Sequence, residues 1–349
     1  MKPLTKARIK GRTLCPHKAI KSARFDARNV LTDNPWDFVS LWLDREQKRD
    51  AKVLWNQARE FYTASQGLSL QAAPLLIYYA CMNATKALLT ARGSTFSPYH
   101  GVTSENLRGT SKRIRLSNEG IEIKNAGVLP ALSSYFGETE MSLKHSLKEL
   151  LFNLAFVHRT FCLTYRNQRD AFLPLIDCAF AAPHGTRDVS LYANISNDLP
   201  IASIATVLPK TLVLDPTIGP RAVRSVTSIS VSKPGKLTLA EIVQLKGLHE
   251  TLRGDIVYIN ALQTLWYARL NVKGPKIINR HPLTITLAAM HRLSELCRYR
   301  PIELEAFMTS DENWLLSEFI RAAPGQFLDG IASELTGYQF MIPNVRPAT

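Results

Sequence analysis

Two polar stripes stand out on otherwise apolar stretches of this 349-residue sequence. Tyr79, Asn83, Lys86 and Thr90 recur at the i, i+4, i+7, i+11 spacing of one helix face, and His291, Glu295 and Arg298 recur at i, i+4, i+7 on another. An ammonium group in an apolar helix is costly to bury unless it is paired. The simplest resolution is that the two stripes meet and Lys86 pairs with Glu295, as a buried ion pair or with the lysine snorkelling to water. The chemical alternative adds His100 and His291 and makes a pocket for an anion or for acid–base work. In that reading Tyr79, Asn83, Lys86, Glu295 and Arg298 bind the ligand. His100, His291 and Arg298 are then the candidates for catalysis.

No established catalytic signature accompanies these stripes. The sequence has no GxxxxGK[ST], no GxGxxG after a strand, no HExxH and no GxSxG. Cys162 follows His158 by four positions on a helical pattern, so the two side chains can touch, but nothing in the sequence suggests an activated thiolate. The five cysteines are scattered without a CxxC, which fits free thiols in a reducing compartment and gives no metal site. No cofactor and no metal are expected.

The charge is informative. A net +14 favours polyanionic partners, nucleic acid first among them. Much of it lies in the first 28 residues, which include Arg8, Lys10 and Arg12. A second cluster, "RGTSKRIR", carries Arg108, Lys112, Arg113 and Arg115. These seven are the nucleic-acid-binding candidates. A protein partner is the other option, and the oligomeric state is open. No apolar run reaches the roughly 18 residues of a membrane span, and the N-terminal stretch lacks a secretory h-region. A cytoplasmic protein without membrane contact is expected.

The elements that must position these residues follow from periodicity. Residues 1–34 read as a basic, flexible arm, and residues 35–340 as one domain. Within it, helices fill 35–93 and 142–170, β-rich insertions occupy 105–125 and 172–236, and helices return over 237–340. "SKRIRLSNEGIEIKNAG" reads as a hairpin turning at Asn118-Glu119-Gly120, with Ile114 and Leu116 opposite Ile121 and Ile123. "DIVYINALQTLWYARLNV" reads as helix. "HPLTITLAAMHRLSELCRYRP" is a helix opened by Pro282 and stopped by Pro301. The fold class is α+β and mainly helical, with a helical bundle core from both halves of the chain and antiparallel β insertions.

"AREFYTAS", "PLLIYYACMNATKALLTARG", the His100-Gly101 pair and "LSELCRYRP" together resemble the YaaC-like family of bacterial proteins, over about residues 36–335. The paired helices also resemble the HEPN superfamily, which implies RNA binding or cleavage and a setting in antiviral defence. HEPN ribonucleases use an Arg and a His separated by four to six residues. Here only Arg12 and His17 have that spacing, with Pro16 between, and Arg92 to His100 exceeds it. The expected function is therefore a non-enzymatic cytoplasmic protein that binds nucleic acid or a partner protein, with antiviral defence as its setting. The alternative is a divergent, metal-independent HEPN-like ribonuclease.

Overall fold

The computed structural model describes residues 2–109, 114–197, 200–272 and 276–341. In chain order its strands and helices are β1 (Leu4–Lys6), β2 (Arg8–Ile9), β3 (Arg12–Thr13), β4 (Val30–Leu31), α1 (Pro35–Arg45), α2 (Arg49–Ser65), α3 (Ala73–Ala91), β5 (Val102–Asn106), β6 (Glu119–Ile123), α4 (Val128–Phe136), β7 (Lys144–Ser146), α5 (Leu147–Phe152) and α6 (Ala155–Thr164). There follow β8 (Phe172–Pro183), β9 (Asp188–Ile195), α7 (Ile201–Val207), β10 (Leu212–Leu214), β11 (Ala222–Ser225), β12 (Ile229–Ser230), α8 (Leu239–Leu252), β13 (Ile256–Asn260), β14 (Thr264–Arg269), α9 (Pro282–Tyr299), α10 (Pro301–Met308), α11 (Asn313–Thr336) and β15 (Phe340–Met341). The fold is α+β, with eleven helices among the described residues and sheets that are antiparallel except for the β4–β15 pair. None of these helices is long and apolar enough to cross a membrane.

The chain divides into two compact units rather than one continuous domain. The first comprises Met1–Leu31, Asp170–Lys273 and Gly337–Thr349, and the second Thr32–Arg169 and Gly274–Thr336. The first unit is built on a sheet ordered β10-β11-β9-β8-β14-β13, with β1 added to β8 and β12 to β9. Residues expected in a flexible arm are part of this unit. Leu4, Thr5 and Lys6 pair with Pro183, Ala182 and Ala181. Ala7 and Ile9 point into the core while Arg8 and Lys10 face water, the alternation of a half-buried strand. Lys10 and Gly11 both take positive φ (48° and 79°) and close β2 onto β3 as a two-residue hairpin. The arm reading failed because it weighed charge alone and missed the period of two.

Residues 256–269 form the β13–β14 hairpin, not the expected helix; Ile256 lies opposite Ala268 and Asn260 opposite Thr264. Val257, Tyr258 and Ile259 are poor helix formers that suit a pleated surface. Lys18 and Arg253 lie under this hairpin and are nearly fully buried. Lys18 donates to the Asn260 side chain and the Phe340 carbonyl, each at 2.9 Å, and Arg253 donates to the carbonyls of Ile256, His17 and Lys18.

In the second unit α3 packs against α2, α9 and α11. Its burial is nearly continuous, which explains why only a few polar residues interrupt its sequence. α11 runs unbroken through Pro324. The expected helical stretch over 142–170 is split: β7 lies at its start, and α5 ends at Asn153, whose amide donates to the carbonyls of Glu149 and Lys276. β5, β6 and β7 form a three-stranded sheet in which Val102 faces Ile123 and Gly120 faces Ser146. Glu119 and Gly120 are thus inside a strand. The turn falls at 116–118 rather than 118–120, and Ile114 and Leu116 do not pair with Ile121 and Ile123.

Candidate functional site on α3 and α9

The α3 and α9 stripes do meet, but through a different pair. Arg298 Nη1 donates to the Tyr79 hydroxyl at 3.2 Å, and the Arg298 guanidinium lies 4.6 Å from the Tyr299 ring centroid. Lys86 makes no hydrogen bond or ion pair with any described residue, so the expected Lys86–Glu295 pair is not formed. Lys86 is half-buried and stands at the edge of the apolar face. Desolvation holds its ammonium below the usual lysine range. Glu295 instead pairs with Arg292 at 3.2 Å and approaches His291 Nδ1 to 3.7 Å. Asn83 is buried on the same stripe, whereas Tyr79 and Thr90 are half-exposed.

His100 and His291 come together around a residue that the stripe pattern left out. Tyr78 Oη lies 2.6 Å from His100 Nδ1, and its ring meets His291 edge-on with centroids 5.1 Å apart. The two imidazoles are 5.7 Å apart. Burial, with neighbouring Tyr79 and Glu295, raises the Tyr78 pKa, so the phenol stays protonated and donates to Nδ1. A neutral His100 then carries its proton on Nε2. Burial lowers the His100 pKa, reinforced by the positive charges of Lys86 and Arg298. Burial, with His100, Arg292 and Arg298, lowers His291 to about 3. The arrangement therefore offers a half-buried cation, Lys86, an exposed one, Arg298, and a neutral imidazole donor. Tyr78 was missed because apolar surroundings assign it to the core; its nearness to two histidines is a property of three-dimensional packing.

The position of His100 is fixed from behind. Val128 and Leu129 at the start of α4 donate their amides to the carbonyls of Tyr99 and His100, and Lys124 donates to that of Gly101. This leaves those helix-start amides satisfied. Gly101 takes φ +74° with its Cα against Gly127, which itself takes φ +131°. A Cβ at Gly101 would lie 2.3 Å from Pro130 Cδ. The His100-Gly101 pair is thus a histidine held by an obligatory glycine contact.

α9 is anchored by Glu119 of β6. This carboxylate is fully buried and accepts from Arg108, Arg292 and Arg300. Glu303 also accepts from Arg108 and Arg300. Arg108 is therefore spent in a buried ion network, which overturns its place in a nucleic-acid-binding cluster. Lys112 and Arg113 lie outside the described residues, and Arg115 is exposed.

The other sequence candidates resolve in simple ways. Arg92 donates to the carbonyls of Glu334 and Leu335 at the end of α11, a helix-terminal role. Arg12 donates to the carbonyls of Ala27 and Asp26, and His17 Nδ1 accepts from the Ala19 amide. The one Arg–His pair with nuclease spacing is thus occupied in holding backbone. Cys162 Sγ lies 3.4 Å from His158 Nε2, and His158 Nδ1 lies 3.0 Å from the Phe152 carbonyl.

The histidines make the fold acid-sensitive. His17 and His291 sit near pKa 3 through burial, and His249 is well below the usual 6.5 for the same reason. The unfolded chain therefore takes up protons first as pH falls. The stability from keeping these rings neutral is complete above about pH 6.5 and is lost progressively toward pH 3. Urea midpoints should fall across this window, and His291→Asn should flatten the fall relative to wild type. An unchanged slope in that variant would contradict the assignment.

A family model described as "YaaC-like Protein" matches residues 20–335, which is most of the chain and spans segments of both units. No curated protein and no solved structure matches the chain.

Proposed function

We propose that this chain, which belongs to the YaaC-like protein family, is a non-enzymatic nucleic-acid-binding protein that reads phosphate groups at the α3–α9 cluster. The observation that carries this reading is Lys86: a half-buried ammonium without a described partner, close enough to His100 to depress its pKa together with Arg298. Lys86 and Arg298 both act on His100, and clustered cations favour an anion such as a nucleic-acid phosphate. Neutral His100 adds a hydrogen-bond donor that does not depend on charge. Arg115 of the second unit and, separately, Arg8 and Lys10 of the first are also exposed cations. The HEPN resemblance, a helical core contributed by both ends of the chain, a cytoplasmic setting and a role in antiviral defence all belong to this same reading.

The adjacency of His100 and His291 favours a second reading, a metal-independent ribonuclease. It is the weaker one, because a general acid must be protonated near neutral pH and both rings are held neutral.

Lys86→Met separates these possibilities. Removing an unpaired, half-desolvated charge should leave stability unchanged or slightly higher, while affinity for a single-stranded oligonucleotide falls about tenfold and the salt dependence becomes shallower by about one phosphate contact. Fluorescence anisotropy over a salt series measures both effects. Wild-type affinity that is absent at low salt would refute the reading. Cleavage of RNA in chelator, lost in His100→Ala and His291→Ala, would establish the ribonuclease instead.

A further inference from the structure

We propose that a cavity within the first unit is a binding site for a small phosphorylated molecule, held by Arg12, Arg24 and Arg28. The cavity has a volume of about 270 Å³, and none of its lining residues is an aspartate or a glutamate. Arg12 and Arg24 are held in place without being neutralised, and Arg28 is exposed beside them. Arg12 spends Nη1 and Nη2 on the Ala27 and Asp26 carbonyls, each at 2.5 Å. Arg24 donates to the Tyr338 hydroxyl at 3.0 Å, with its guanidinium 4.7 Å from that ring centroid. Arg28 makes no hydrogen bond or ion pair with a described residue. All the acceptors are neutral, so three positive charges border one cavity without a counter-charge among its lining residues.

Such an arrangement is favourable around an anion. His17 also lines the cavity, but burial keeps it neutral and it adds no charge. Guanidinium forks suit the tetrahedral oxygens of a phosphate group, and fixed ones lose little entropy on binding. Thr13, Asn29 and Gln339 add uncharged polar groups, and Leu14, Phe25 and Ala27 supply an apolar wall. The volume lies at the low end of small-molecule sites, which run from about 300 Å³ upward. It suits one phosphate and a sugar-sized body rather than a polymer. This site shares no residue with the α3–α9 cluster, so each proposal can fail without the other.

Cys15 lines the same cavity and is exposed, which provides a local reporter. The full chain is alkylated with iodoacetamide in the presence of inorganic phosphate, ribose 5-phosphate or citrate, and the modification of Cys15 is followed by peptide mass mapping. The expected result is protection of Cys15 by ribose 5-phosphate and, more weakly, by phosphate. The half-protecting concentration should rise about tenfold in Arg28→Gln and in Arg24→Gln, and should not change in Lys86→Met. Arg28 is exposed and without a described partner, so its variant should keep the fold. No protection by either phosphate compound at millimolar concentration would overturn the proposal. So would equal protection by citrate, which would show a general carboxylate site, or protection that both arginine variants leave intact.

Discussion

Glu119→Gln should be the most damaging conservative substitution in the second unit, lowering stability by about 3–5 kcal/mol. The carboxylate is buried between three arginines, with Arg108 Nε at 3.1 Å from Oε1 and Arg300 Nη1 at 3.0 Å from Oε2. Glutamine keeps the shape but removes the charge that justifies burying Arg292, whose side chain is only 5% exposed. Breaking one member of a buried network strands the others, whereas breaking an exposed pair costs little. Glu122→Gln, on the same strand and paired with Lys124 at the surface, is the natural control and should cost far less, because that pair is screened by water. Urea denaturation of the two variants reads the difference. Because Arg292 fixes α9, Glu119→Gln should also loosen the helix that carries His291 and Arg298, and oligonucleotide affinity should drop with it. Similar costs for the two substitutions would remove Glu119 from this anchoring role.

Gly101→Ala should cost about 2–5 kcal/mol, from the strain of positive φ and from overpacking against Pro130 and Gly127. Gly93→Ala separates these causes: φ there is +69° but nothing lies within 4 Å of the added carbon. It should show the φ strain alone, about 1–2 kcal/mol. Binding should separate the two more sharply. Gly101→Ala displaces the backbone that presents His100 to Tyr78, so the 2.6 Å contact should be lost. The His100 ring resonance, followed by NMR, should then titrate nearer to the ordinary histidine range. If Gly101→Ala and Gly93→Ala behave alike, the close approach to Gly127 does not set the site.

These effects show which parts of the site were legible in one dimension. The α3 and α9 stripes could be read because helical spacing is local, and so could the glycine after His100. The partners could not. Glu119 and Arg292 are 173 positions apart, and nothing in "SNEGIEI" distinguishes a strand-buried carboxylate from a turn residue. Arg108 looked like part of a basic surface because a run of like charges reads as solvated until an acid is brought to it from elsewhere. Lys86 was assigned the nearest suitable acid on an opposing stripe, but Glu295 is claimed by Arg292 on its own helix.

By itself, the sequence determined that this chain is α+β, that it has strong helices within 35–93 and between Pro282 and Pro301, and that it carries a large positive charge. Those follow from periodicity and composition, which act over a few residues. The tertiary structure decided that the N-terminal segment is sheet rather than arm, that residues 256–269 are a hairpin, and which cations are spent and which remain for a ligand. A side chain's charge is written in the sequence. Whether that charge is neutralised depends on the acid that folding brings beside it, and that acid can come from anywhere in the chain.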